Sequence, residues 1–192
     1  MANKSDIQSK LIIRALIRNP RVSDNQIGLM TGVPIRTVNR KRKMMEKQGF
    51  LNYYTELNMG KEGTRRFNAR HMYILKFRIG ISQNQIIEEV KEEPNVSTVF
   101  TEFIYESQLA EIEGHTALIL MIEGTSDDEV NNKFNEIIIP SLEKNHGVGS
   151  IIKVTTIRLG KNIRLFHNYL PMVNMEKGKI KRSWDSDAIF VE

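Results

Sequence analysis

Six cations and one carboxylate share the seventeen residues VPIRTVNRKRKMMEKQG, 33–49. The chemistry such a run offers is the recognition of a polyanion. Lysine and arginine neutralise phosphates, while arginine and asparagine can also hydrogen-bond base edges. Other reactive groups are sparse. The chain has no cysteine, which removes disulfides, thiolate metal sites and a cysteine nucleophile. Its four histidines, His71, His115, His146 and His167, are far apart and show no metal-ligand spacing, so neither a metal nor a cofactor is expected. His115, in EGHTA, has Glu111 and Glu113 close by but no nucleophile, and reads as a loop histidine. The aromatic residues recur at strand spacing and read as core.

The positive charge is confined. Residues 1–60 hold 11 Lys and Arg against 4 Asp and Glu, whereas residues 61–168 hold 13 against 15 and residues 169–192 hold 4 against 4. A polyanion partner is therefore expected for the first third alone. No apolar run approaches the ~18 residues of a membrane span. The amino terminus lacks the apolar core of a signal peptide, so a cytoplasmic, nucleoid-associated protein without a membrane partner is expected.

The elements that must position the cations follow from periodicity and punctuation. Ile7 to Ile17 has apolar residues at helical spacing and stops at Asn19-Pro20. SDNQIGLMTG pairs Ser23 with Gln26, a capping-box spacing, and Gly32 should end that short helix. Pro34 suits the first turn of a third helix, ended by Gly49. Three short helices with a tight turn before the third describe a helix-turn-helix. The third helix would enter the major groove, with Arg36, Thr37, Asn39 and Arg40 towards base edges and Lys41, Lys43 and Lys47 towards phosphates. Residues 50–58, FLNYYTELN, alternate enough for a strand or wing. Arg42 falls on the apolar side of the helix, where its alkyl stem could lie along the core.

After a polar linker (61–70), residues 71–160 read as strand 71–79, helix 82–93, strand 96–107, strand 116–124, helix 126–145 and strand 149–160, with Pro140 kinking or dividing the second helix. This β-α-β-β-α-β order is the ferredoxin-like arrangement, so the chain is α+β: a winged helix-turn-helix over 1–60 and a ferredoxin-like domain of the RAM or ACT kind. Helices cover one face of such a sheet. The other face needs cover, which a second copy would supply, and a two-fold dimer implies a pseudo-palindromic double-stranded DNA site.

The segments IIRAL (12–16), NPRVSDNQIG (19–28), TGVPIRTVNRK (31–41) and QGFLNYYTELN (48–58) resemble the leucine-responsive/asparagine-regulatory (Lrp/AsnC) transcription regulators, over about residues 7–160. The resemblance implies a first domain that binds DNA. It implies a second domain that dimerises, often builds octamers, and usually senses a small metabolite such as an amino acid. Thr37, Val38, Arg40 and Lys41 match the family's TVxRR positions; Arg42 departs from an aliphatic residue. In the family's G-x-x-D-Y stretch this chain has Gly114, then Ala117 for Asp and Leu118 for Tyr, and the path from Val96 to Gly114 is several residues longer. Gly114, His115 and Thr116 are the effector candidates on that likeness. Ala117 offers no side-chain acceptor for an α-amino group, which argues against a free amino acid.

Residues 161–192 extend beyond the family's usual length. EKGK (176–179) signals a hairpin, and the segment reads as a packing layer that stabilises the dimer, or as a docking segment. Two other functions fit the layout: an architectural DNA-binding protein with little sequence preference, and an enzyme like the decarboxylases of haem biosynthesis that share this two-domain plan. The mildly acidic second domain argues against the enzyme, and the chain is expected not to be one.

Overall fold

The computed structural model describes residues 4–61, 63–64, 66–92 and 102–191. Two compact units divide the chain: residues 1–55 together with 161–192, and residues 56–160.

In the first unit, α1 (Lys4–Arg18), α2 (Asp24–Thr31) and α3 (Ile35–Lys47) close around Ile12, Leu16, Val22, Ile27, Val38 and Met45. Ser23 and Gln26 form the expected capping box at the start of α2, each side chain bonding the other's backbone N–H. Such a cap stabilises a helix by about 0.5–2 kcal/mol. Gly32 ends α2 at φ 71°, the left-handed conformation that a residue with a Cβ resists. Pro34 occupies the N-cap of α3, one step before the expected first turn. Residues 50–58 form no strand. A strand needs a ladder partner, and Tyr53 is instead held by the side chain of Arg42, 3.0 Å away.

The second unit is a four-stranded antiparallel sheet in the order β2-β3-β1-β4, built from β1 (Ala69–Phe77), β2 (Ile104–Ile112), β3 (His115–Gly124) and β4 (Ile151–Arg158). Helix α4 (Gln83–Glu92) follows β1. The second helical stretch comprises α5 (Asp127–Lys133), a π-helical turn (Phe134–Ile138) and α6 (Ile139–His146). Pro140, lacking an N–H, lies at the start of α6, and the π turn immediately precedes it. The strand expected at 96–107 is displaced: β2 begins at Ile104, and residues 96–101 lie outside the described residues. β2 and β3 form a hairpin that turns at Glu113 and Gly114, with φ of 52° and 76°.

One sheet face packs on the helices through Tyr73, Leu75, Leu120 and Ile122 against Val130, Phe134 and Ile138. The opposite face carries Met72, Ile74, Ile119 and Met121, which pair across β1 and β3 and remain partly exposed.

The carboxy-terminal segment packs within the first unit, on α1. It carries the expected hairpin, β5 (Met175–Glu176) and β6 (Lys179–Ile180). Arg18 donates to the carbonyls of Lys181 and Trp184, both at 2.7 Å, and to Ser186 Oγ. The Tyr169 hydroxyl caps the Ile17 carbonyl at 3.0 Å, satisfying a last-turn acceptor of α1. Asn174, fully buried, bonds the backbone of Asn168 and Leu170, while Ile180 and Ile189 supply apolar burial. At 100° per residue, Arg14 and Arg18 lie opposite Ile12 and Leu16 on α1. The helix is thus layered between the three-helix core and the tail.

Candidate nucleic-acid interface

Helix α3 sorts its cations into two classes. Val38 and Met45 define the buried side. Arg36, Arg40, Lys43 and Lys47 fall opposite, at i, i+4, i+7 and i+11, and all four are exposed. None of them has a hydrogen-bond or ion-pair partner among the described residues. At 1.5 Å per residue the stripe is about 16 Å long. Four charges along one helix face, unpaired among the described residues, form a local positive field.

The other two cations are structural. Lys41, expected to meet phosphate, is only 3% exposed, and its Nζ donates to Ser5 O, Ser5 Oγ and Ser9 Oγ at 2.9 Å each. All three ammonium donors are satisfied, so this side chain ties α3 to α1 and is withdrawn from the exposed face. Arg42, the misfit of the apolar stripe, bonds Asp24 Oδ1 at 3.1 Å, the Val22 carbonyl at 3.3 Å, Glu46 Oε1 at 3.1 Å and the Tyr53 hydroxyl at 3.0 Å. Burial works against the Arg42 charge, but Asp24, Tyr53 and Glu46 more than offset it and leave its pKa above the ordinary value. Burial likewise raises the Tyr53 pKa, with Arg42 pulling the other way. The guanidinium therefore pins the start of α2 and the segment after α3 to the middle of α3.

Asn39 and Thr37 flank the stripe. Asn39 is exposed, yet its amide donates to Asp24 Oδ2 at 2.8 Å, so one carboxylate holds both Asn39 and Arg42. Two contributors were invisible in the sequence. Asp24 reads only as a favourable acid at a helix start, and Gly28 only as a weak helix residue. A Cβ on Gly28 would lie 3.0 Å from Ile35 Cγ1 and 3.2 Å from the Val33 carbonyl, so the missing side chain allows α3 to approach α2.

Gly114, His115 and Thr116 sit in the β2–β3 turn and the first ladder pairs. His115 Nδ1 lies 2.8 Å from the Phe77 carbonyl, and Thr116 pairs with Glu111. None of the three lines a cavity of about 430 Å³ that lies between the second helical stretch and β4. Among the described residues, no His, Asp or Glu cluster is placed to hold a metal ion, and no helix is long and apolar enough to cross a membrane.

Residues 5–52 match the family described as winged helix-turn-helix DNA-binding. No curated protein matches the sequence. Among solved structures, the chain is similar to the transcriptional regulator NMB0573 of Neisseria meningitidis, solved with L-Met, at 16% identity and a TM-score of 0.57, covering 86% of this chain and 94% of that one. It is similar to AsnC of E. coli at 12% identity and a TM-score of 0.54, covering 86% and 96%. LrpC of B. subtilis gives 16% identity and a TM-score of 0.55, covering 85% and 98%. The chain has the two-domain fold of these regulators.

Proposed function

We propose that this protein is a sequence-specific DNA-binding transcription regulator of the Lrp/AsnC type, which reads the major groove with α3. The observation that carries the reading is the stripe of Arg36, Arg40, Lys43 and Lys47, exposed and without partners among the described residues, on the helix that follows a tight turn. Arg36 and Arg40, nearest the amino-terminal half of α3, contact base edges with Thr37 beside them. Lys43 and Lys47 meet phosphates. Asn39 contributes either through its free carbonyl oxygen or by exchanging Asp24 for a base. Lys41 and Arg42 hold the helix in place.

The protein acts as a homodimer. The partly exposed strip of Met72, Ile74, Ile119 and Met121 supports this, since burying it against its own copy gains about 25 cal/mol per Å² of apolar surface. Two-fold pairing presents two reading helices to a pseudo-palindromic duplex in the cytoplasm.

Selection of genomic fragments by the purified protein over a salt series, with competitor DNA, tests the proposal. A few fragments held at moderate salt, with an inverted repeat among them, support the regulator. Uniform retention that vanishes with salt supports the architectural alternative, and no retention sinks both.

A further inference from the structure

Asp24 opens α2, and its carboxylate reaches across to the amide of Asn39 on α3. Asn39 is exposed, and its Nδ2 donates to Asp24 Oδ2 at 2.8 Å. A carboxylate only accepts, so the amide has one orientation open to it: nitrogen towards α2 and carbonyl oxygen turned away. The reverse orientation would set the Asn39 oxygen against a charged oxygen.

Asp24 is itself fixed. Its Oδ1 lies 3.1 Å from Arg42 Nη1, with the two side chains 20% and 23% exposed. Arg42 also bonds the Val22 carbonyl, Glu46 and Tyr53. As the first residue of α2, Asp24 places its charge where a helix start favours one. Giving up the Asn39 amide would strand a carboxylate oxygen in a partly buried site, and hydrogen bonds to ionised acceptors are about twice as strong as neutral ones. The cheaper course for an arriving base is to meet Asn39 as it stands.

What Asn39 presents then follows by subtraction. An amide has two N–H donors and one carbonyl oxygen. One donor is spent on Asp24, and no other partner of Asn39 is found among the described residues. One donor and one acceptor remain. Adenine shows their complement on its major-groove edge, N7 accepting and N6–H donating, whereas guanine shows two acceptors, N7 and O6.

We infer that Asp24, without touching DNA, sets the base choice at one position by locking the Asn39 amide to accept adenine and refuse guanine. A loose amide can turn its nitrogen into the groove and donate to guanine as well, so the lock supplies the discrimination. Asp24 is thus a positioning residue, and Arg42 serves it by holding the carboxylate. The inference rests on the DNA reading above and deepens it by naming a base and the residue that selects it.

Selection of randomised duplexes by the full chain, followed by anisotropy on the selected site, tests it. Asn39→Ala identifies the base pair at which preference is lost. Wild type is expected to prefer adenine over guanine there by about tenfold or more, and to bind about five- to tenfold more weakly when 7-deazaadenine or unsubstituted purine replaces that adenine. Asp24→Asn keeps the size but sets an amide beside Asn39, which bonds either orientation equally well. It should cut the adenine preference to about threefold or less, while preferences at the other pairs stay within about twofold. Asp24→Ala, which offers no partner, should do the same. A purely structural role would lower the preferences together and leave none singled out. An undiminished adenine preference in both variants, or equal losses at every pair, would overturn the inference and leave the DNA reading intact. So would a base other than adenine at the Asn39 pair, or full tolerance of 7-deazaadenine. These last two outcomes use only wild type and a variant at an exposed site, so they decide the matter even where an Asp24 variant fails to fold. If wild type selects no sequence at all, the DNA reading falls and takes this inference with it.

Discussion

Most of the described cations of the second unit are paired, whereas a row of four on α3 is not. In the second unit Arg66, Arg70, Lys76, Lys91, Lys133 and Arg158 each have a carboxylate within ion-pair distance. On α3, Arg36, Arg40, Lys43 and Lys47 have none among the described residues. Paired surface charges contribute little to stability and nothing to binding a polyanion, because their field is cancelled locally. Unpaired ones mildly destabilise the free protein through mutual repulsion and are relieved when a phosphate backbone arrives. The contrast also runs within α3. Lys41 and Arg42 sit beside Arg40 and Lys43 in sequence, yet they are consumed by Ser5, Ser9, Asp24 and Glu46. Charge density alone is therefore a poor guide to function; four cations without partners among the described residues, in line on one exposed helix face, are the informative property.

The largest effect should come from erasing the unpaired class. Replacing Arg36, Arg40, Lys43 and Lys47 together by Ala is expected to lower DNA affinity on the order of a thousandfold at low salt. Stability should change by less than about 0.5 kcal/mol for each exposed site. Fluorescence anisotropy and thermal melts on the same preparation separate the two. Next, Arg42→Ala should cost about 2–3 kcal/mol of stability, because Asp24 and the Val22 carbonyl lose their partner in a half-buried site. Urea titration measures this, and a loss below about 0.5 kcal/mol would remove Arg42 from its structural role.

Single substitutions sharpen the division. Arg40→Ala should cost about 1–3 kcal/mol on the best operator and relax its sequence preference. Lys43→Met should weaken all duplexes and reduce the salt slope by about one. Lys41→Met, which keeps the buried stem, should change neither slope nor preference.

The smallest effect concerns a paired carboxylate of the second unit. Glu129 is held at about 2, well below its ordinary 4.5, first by the hydrogen bond from Lys133 and then by Thr125. A depressed carboxylate stabilises the fold above its unfolded pKa, and that contribution is lost as pH falls from about 4.5 towards about 2. Because the group is near the surface, the loss should be about 1 kcal/mol or less. Melting curves of wild type and Glu129→Gln across that window should converge in acid; a constant gap would contradict the shift.

Much of this organisation was legible in the sequence because local rules wrote it. The Ser23–Gln26 spacing, Gly32, the β-α-β-β-α-β order and the EKGK turn each act over a few residues. What was not legible depends on distant partners. Nothing near Lys41 signals that Ser5 and Ser9 will surround its ammonium, and nothing near Arg18 signals that residues 181–186 will return to cover it. Residues 50–58 alternate as a strand should, but among the described residues they form no ladder with any strand.

Anisotropy with a selected genomic fragment and a scrambled duplex, over a salt series, compares wild type with Arg36→Ala/Arg40→Ala. The account predicts that wild type prefers the selected fragment by at least tenfold and that the double variant loses this preference while keeping most of its affinity for the scrambled duplex. An undiminished preference in the double variant, or none in the wild type, would contradict base reading by α3.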